Sequence, residues 1–154
     1  MKGIVLSCTR RYAHITIDNV GTIPATASSK ALEICVGDEV SCSEAGSEIR
    51  IDSVLPRRNE LCRSYRGEKQ CLIANLDLLL VVAAVGKLFN TLVIDRILTL
   101  AQTEQIPCLI VVNKIDLGTE EIEGMIEAYR SLGYEVLLTS AKQGLGIERL
   151  RESL

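Results

Sequence analysis

The chain has 154 residues, 47% of them hydrophobic and 24% charged, with a formal net charge of −3. That length accommodates one ordinary domain or two small ones, the balance excludes disorder over most of the chain, and the charge excludes a uniformly basic nucleic-acid binder but not a local basic patch. Aromatic residues make up 3%, with no Trp and one Phe, so the core must be built from Leu, Ile, Val and Ala.

Residues 1 to 55 read as short strands. Gly3–Cys8 and Tyr12–Asp18 come first, and Tyr12-Ala13-His14-Ile15-Thr16-Ile17 alternates as a half-buried strand does. Thr22–Ala27 is a third, interrupted by Pro24 and therefore expected at an edge. Val36-Gly37-Asp38-Glu39-Val40 is a tight turn entering a fourth strand, and Glu48–Leu55 supplies a fifth. Five short strands in this space predict a small closed barrel over residues 1–56. Residues 57–70 read as a linker: Arg57–Lys69 holds five basic and two acidic residues, the most basic stretch of the chain.

The period changes over 71–154. Leu76–Val85 is a nearly continuous apolar run, as in a strand buried on both faces. Thr91–Gln105 is helical, with Ile94, Ile97, Leu98 and Ala101 on one face and Pro107 as its stop. Cys108–Val112 is a second buried strand. Thr119 is placed to cap the next helix, whose apolar face is Ile122, Met125, Ile126 and Tyr129 and which Gly133 ends. Glu135–Thr139 is a third strand, and Ile147, Leu150 and Leu154 belong to a third helix. Alternating strands and helices predict a parallel sheet with right-handed crossovers. Three strands alone leave an edge uncovered, which predicts poor solubility or a partner.

Met1–Ser7 is too short an apolar run for a secretory signal, and no run of 18 apolar residues occurs, so a cytoplasmic protein that does not cross a membrane is expected. The six cysteines form no C-x-x-C pair and the only histidine is His14, so they read as small hydrophobes rather than as metal ligands. His14 has no nucleophile nearby in sequence and reads as an ordinary strand residue.

The chemistry lies at two strand ends. Asn113-Lys114-Ile115-Asp116 directly follows the second buried strand, and ligands of open parallel sheets bind outside the carboxyl ends of the strands. The Asp116 carboxylate accepts from a planar pair of adjacent N–H donors such as guanine presents and adenine does not. The Lys114 stem suits a base face, and Asn113 suits a base edge or a tie between loops. Ser140-Ala141-Lys142 ends the third strand, where a backbone N–H near Ala141 is placed for a base oxygen. An N-K-x-D sequence alone is weak evidence, and an unrelated α/β enzyme with a chance match stays open.

Together these stretches resemble the fourth and fifth guanine-recognition motifs of TRAFAC-type GTPases. A barrel placed ahead of them, with no G-x-x-x-x-G-K-[ST] anywhere in the sequence, resembles the circularly permuted GTPases, and among these the RsgA family. Val36–Val40, Val54–Leu61, Ile73–Asp77 and Ile94-Asp95-Arg96 add to the likeness. The resemblance implies an α+β, multi-domain protein: an N-terminal OB-fold β-barrel, then a partial, circularly permuted α/β GTPase domain. It implies GTP or GDP as ligand, with Asn113, Lys114, Asp116, Ser140, Ala141 and Lys142 as guanine contacts. This chain would then correspond to an N-terminal part. Mg²⁺ and Zn²⁺ are implied for the full-length family, with no ligands for either expected here, and GTP hydrolysis is not expected of residues 1–154 alone because the phosphate loop is missing.

The resemblance further implies a role in late maturation of the small ribosomal subunit as a monomer, with the barrel on rRNA. OB barrels often bind oligonucleotides across one face. Arg10, Arg11 and Tyr12 around the first turn, extended by Arg57, Arg58, Arg63, Arg66 and Lys69, are the candidate RNA contacts. An RNA-binding barrel joined to a vestigial, non-catalytic nucleotide fold is the alternative reading.

Overall fold

The computed structural model describes residues 1–154, the side chain of residue 65 excepted. The chain divides into two compact units, Met1–Leu76 and Asp77–Leu154.

In the first unit β1 (Lys2–Cys8), β2 (Tyr12–Ile17), β3 (Gly21–Ala27), β4 (Glu39–Ala45) and β5 (Glu48–Val54) close into a barrel of order β1-β2-β3-β5-β4. Closure comes from the antiparallel pairing of β4 with β1, where Lys2 faces Ser41. Bulges between Val5 and Ser7 and between Ser41 and Cys42 bend the strands as a small barrel requires. Alternation sets the faces: Ala13, Ile15 and Ile17 point inward, where they meet Val5, Ala25, Val40, Cys42 and Ile51. The expectation that the strand with Pro24 lies at an edge is corrected. β3 pairs with β2 along its length and with β5 over residues 25–27. The second pairing begins one residue after the proline, so its missing N–H removes no bond there.

The expected basic linker is also corrected. Residues 60–74 form an antiparallel hairpin of β6 (Glu60–Tyr65) and β7 (Glu68–Ala74), and the unit boundary falls after Leu76. Polar residues tie the hairpin's base to the barrel's loop. The Asn59 amide donates to the Leu76 carbonyl at 2.9 Å and its carbonyl accepts from Leu76 N–H at 2.8 Å. The Asn75 amide donates to the Gly37 carbonyl at 2.9 Å. Gly37 has φ +85°, and a Cβ there would stand 2.1 Å from the Ala74 carbonyl oxygen, so only glycine fits. Charged side chains on both strands hide the period of 2, which is why the stretch reads as a linker.

In the second unit β8 (Leu79–Ala84), β9 (Cys108–Asn113) and β10 (Glu135–Leu138) form a parallel sheet of order β10-β9-β8, with Val81 and Val136 flanking Ile110. Helices α1 (Thr91–Thr103), α2 (Glu123–Ser131) and α3 (Ile147–Glu152) alternate with the strands. One sheet face buries Val81, Ala83, Ile110, Val112 and Val136 against Ile94, Leu98, Ile122, Ile126 and Tyr129. The other buries Leu109, Val111 and Leu137 against Leu150 and neighbours. β9 is thus covered on both faces, which explains its unbroken apolar run. Asp95 accepts from the Tyr129 hydroxyl at 2.8 Å, linking α1 to α2, and burial together with that carboxylate raises the phenol's pKa. The expected Thr119 cap is corrected: a turn intervenes, the Thr119 carbonyl accepts from Ile122 N–H at 2.9 Å, and α2 begins at Glu123 without a side-chain cap. Among the described residues no helix is long and apolar enough to cross a membrane.

Candidate functional site

Strand β9 ends at Asn113, and the chain must turn sharply to clear the sheet. Lys114 takes a left-handed conformation, φ 64° and ψ 35°, and a single 3-10 turn over Ile115–Leu117 follows. Such a conformation costs a non-glycine residue about 1 kcal/mol and is enriched at functional sites. The turn exposes the Lys114 side chain and leaves Asp116 half-buried beside the end of β10.

The two strand-end motifs, 24 residues apart, meet through specific bonds. The buried Ser140 hydroxyl donates to Asp116 Oδ1 at 2.5 Å. Ile115 N–H donates to the Thr139 carbonyl at 3.2 Å. Asn113 Oδ1 accepts from Ala141 N–H at 3.0 Å and from the Thr139 hydroxyl at 3.4 Å. The Ser140 bond holds the Asp116 carboxyl below the usual carboxylate range, with smaller contributions from the Lys142 and Lys114 charges and some opposition from burial. The result is an ionised, oriented acceptor with two lysines beside it, flanked by the Asn113 amide.

One expectation changes in detail, and one residue is added. The Ala141 N–H, expected to face a base oxygen, is engaged by Asn113 and ties the two loops together. Thr139, which the sequence reading passed over, is buried and braces Asn113; its only signal was its place next to Ser140 at a strand end. Lys142 is exposed on the same loop.

The glycines of Gly144-Leu145-Gly146 form a turn into α3. A Cβ on Gly146, whose φ is +71°, would stand 2.3 Å from the Leu138 carbonyl oxygen. Gly146 is therefore explained by backbone packing.

The first unit brings together part of the proposed basic surface. Arg10, Arg11 and Tyr12 lie around the β1–β2 turn, and Tyr12 is 67% exposed. Arg63, Arg66 and Lys69 are exposed on the β6–β7 hairpin. A cavity of about 650 Å³ is lined by Arg10, Lys30, Arg57 and Lys69, together with Cys35 and Cys71. Lys30 had no motif to mark it.

Arg57 and Arg58 serve the fold. Arg57 Nε and Nη2 donate to the two oxygens of Asp38, at 2.7 and 3.0 Å, and Nη1 donates to Glu60 at 2.6 Å. Asp38 is 0% exposed and also accepts from Cys35 N–H at 2.7 Å. The Asp38 carboxylate raises the Arg57 pKa well above its ordinary value. Arg57 is thus the counter-ion of a buried acid, and the guanidinium of Arg58 donates to the Asn75 carbonyl at 3.0 Å. His14 lies on the exposed face of β2, with Nδ1 3.2 Å from the Ser7 hydroxyl.

All six cysteines are free. Cysteines without a C-x-x-C pair in the sequence nevertheless meet in the fold: the hairpin register sets Cys62 opposite Cys71. Their sulfurs and a Glu60 carboxylate oxygen lie within 4.8 Å of one another. Cys35 and Cys71 line the same cavity. Burial pushes the Cys62 thiol up to about 11 and the Cys71 thiol up to about 12. Linear spacing could not reveal this group, because cross-strand pairing assembles it.

Comparison with known proteins follows the same outline. The chain is 40% identical over 149 residues to a protein named small ribosomal subunit biogenesis GTPase RsgA from Chlorobaculum parvum, covering 86% of this chain and 48% of that one. A protein of the same name from Actinobacillus pleuropneumoniae is 31% identical over 159 residues, covering 97% and 46%. The chain thus spans about half the length of the relatives it matches. Its fold matches the crystal structure of YjeQ from Thermotoga maritima with a TM-score of 0.76 and 30% identity, covering 99% of this chain and 56% of that one. It also matches YloQ, described as a circularly permuted GTPase, with a TM-score of 0.66 and 26% identity, covering 92% and 52%. The RsgA GTPase family model matches residues 54–154, which is most of the chain, and the chain therefore belongs to the RsgA GTPase family.

Proposed function

We propose that residues 77–154 form the guanine-recognising part of a GTP-binding protein that acts in maturation of the small ribosomal subunit in the cytoplasm. The observation that carries this reading is the Ser140–Asp116 bond. It pins a half-buried carboxylate at the strand end with acceptor capacity left for two parallel donors, as on the N1 and 2-amino edge of guanine. Lys114 covers a base face, Asn113 presents its amide to the base edge, and Ala141 and Lys142 complete the loop on the other side. Hydrolysis belongs to a protein that also carries a phosphate loop. For residues 1–154 alone the reading is binding without turnover, because phosphates would lack their donors.

Binding of guanine and adenine nucleotides to the purified chain, measured by calorimetry, tests this. Weak binding of GDP, none of ADP, and loss of GDP binding by at least about tenfold in Asp116→Asn are expected, since truncating a charge-assisted pair costs about 1.5–3 kcal/mol. Equal affinity for GDP and ADP would refute it.

For the first unit we propose an rRNA contact through Arg10, Arg11, Tyr12, Arg63, Arg66 and Lys69. The exposed Tyr12 beside two arginines supports it, since a solvated aromatic flanked by cations suits base stacking and phosphate pairing. Arg57 and Arg58 are left out of that surface because their donors are used internally. Charge reversal at Arg10 and Arg11 is expected to weaken binding to small-subunit RNA and to flatten its salt dependence; an unchanged salt slope would remove the barrel from the interface.

A further inference from the structure

The hairpin β6–β7 and the loop that carries Cys35 converge at one point inside the first unit. Cys62 and Cys71 stand opposite each other across the hairpin, next to a register shift between Leu61 and Cys62. Their two sulfurs and a Glu60 carboxylate oxygen lie within 4.8 Å of one another. Cys35, a buried residue of the β3–β4 loop, lines the same cavity as Cys71 and offers a third sulfur. We propose that Cys35, Cys62, Cys71 and Glu60 form a site for one thiophilic divalent cation of the Zn²⁺ class, which pins the hairpin to the barrel's loop.

The donor set selects the ion. Three sulfurs and one carboxylate suit a tetrahedral d¹⁰ ion, whereas Mg²⁺ and Ca²⁺ demand oxygen. Tetrahedral Zn–S bonds of about 2.3 Å place sulfurs about 3.8 Å apart, so the Cys62 and Cys71 sulfurs and the Glu60 oxygen, already within 4.8 Å of one another, close on an ion by shifts of about 1 Å, and Cys35 completes the set by a turn of its side chain. The ion offsets two of the negative charges on the thiolates and the Glu60 carboxylate, and Lys69 and Arg57, which both contact Glu60, offset part of the rest, Arg57 being shared with the buried Asp38. Arg57 also holds the buried Asp38, so ion, hairpin and barrel form one connected polar structure. The site shares no residue with the strand-end loops of the second unit and does not depend on nucleotide binding.

Titrating the reduced, metal-free 154-residue chain with Co²⁺ tests the proposal. We expect one equivalent to produce the absorption of tetrahedral cobalt–thiolate, Zn²⁺ to abolish it, and Zn²⁺ to raise the melting temperature of the first unit. The Cys62→Ser/Cys71→Ser variant loses the signal, Cys108→Ser in the second unit keeps it, and Glu60→Gln weakens binding by about tenfold. Because the double variant could lose its fold, alkylation mapping of the unmodified chain provides an independent readout. Zn²⁺ is expected to protect Cys35, Cys62 and Cys71 while leaving Cys108 reactive on unfolding in the same way with and without the ion. Absence of a cobalt–thiolate band from the reduced chain, persistence of the band in the double variant, or failure of Zn²⁺ to protect the three thiols would overturn the proposal.

Discussion

In the first unit the fully buried carboxylate, Asp38, is met by Arg57 and by a backbone N–H, and that cluster joins barrel to hairpin. In the second unit the fully buried polar side chains, Thr139 and Ser140, sit at the end of β10 and face the loop after β9, while the sheet beneath them is aliphatic. The same kind of group therefore does different work. A buried charge that is paired inside the fold specifies which segments meet, but it contributes little net stability because desolvation offsets the attraction. A buried hydroxyl at a strand end orients a half-exposed acid while an apolar sheet carries the stability. Polarity joins segments in one unit and orients an accessible side chain in the other.

The sharpest way to break this comparison is Arg57→Met. It leaves Asp38 buried without its counter-ion and is expected to cost about 3–5 kcal/mol, read as a lowered urea midpoint of the first unit. A change under about 1 kcal/mol would show that the cluster is incidental. In the second unit the equivalent loss comes from an apolar residue. Ile110→Ala, at a fully buried position of β9, is expected to destabilise that unit by about 3 kcal/mol in the same measurement.

Smaller effects belong to the strand-end loops. Ser140→Ala is expected to cost about 1–2 kcal/mol near neutral pH and to let the Asp116 pKa rise toward its ordinary 3.8. The sign follows from linkage. Asp116 titrates below 3.8 when folded, so its contribution is complete above that pH and fades as pH falls through the folded value. The gap between Ser140→Ala and the unaltered chain should therefore narrow below about pH 3.8 in urea titrations; a gap that widens in acid would exclude this role for the hydroxyl. Lys114→Gly has the smallest expected effect on stability, within about 1 kcal/mol, because glycine relieves the left-handed backbone while loosening the unfolded chain. The same change should weaken guanine nucleotide binding, since the aliphatic stem is gone. A large loss of stability with no loss of binding would reverse the assignment of that residue.

Much of this protein is determined by local sequence. Alternation in Tyr12–Ile17 and the apolar run in Cys108–Val112 mark barrel and sheet because side-chain burial follows backbone period directly. Asn113–Asp116 and Ser140–Lys142 are recognisable because each is a short contiguous stretch at the end of a strand. What only the tertiary structure decided is which distant groups meet. The pairing of Arg57 with Asp38, the tie of Ala141 to Asn113, and the assembly of Glu60 and Cys62 with Cys71 depend on loop closure and cross-strand register. Neither leaves a periodic trace in the chain, and in the hairpin the charged side chains that make those contacts also masked the strands that carry them.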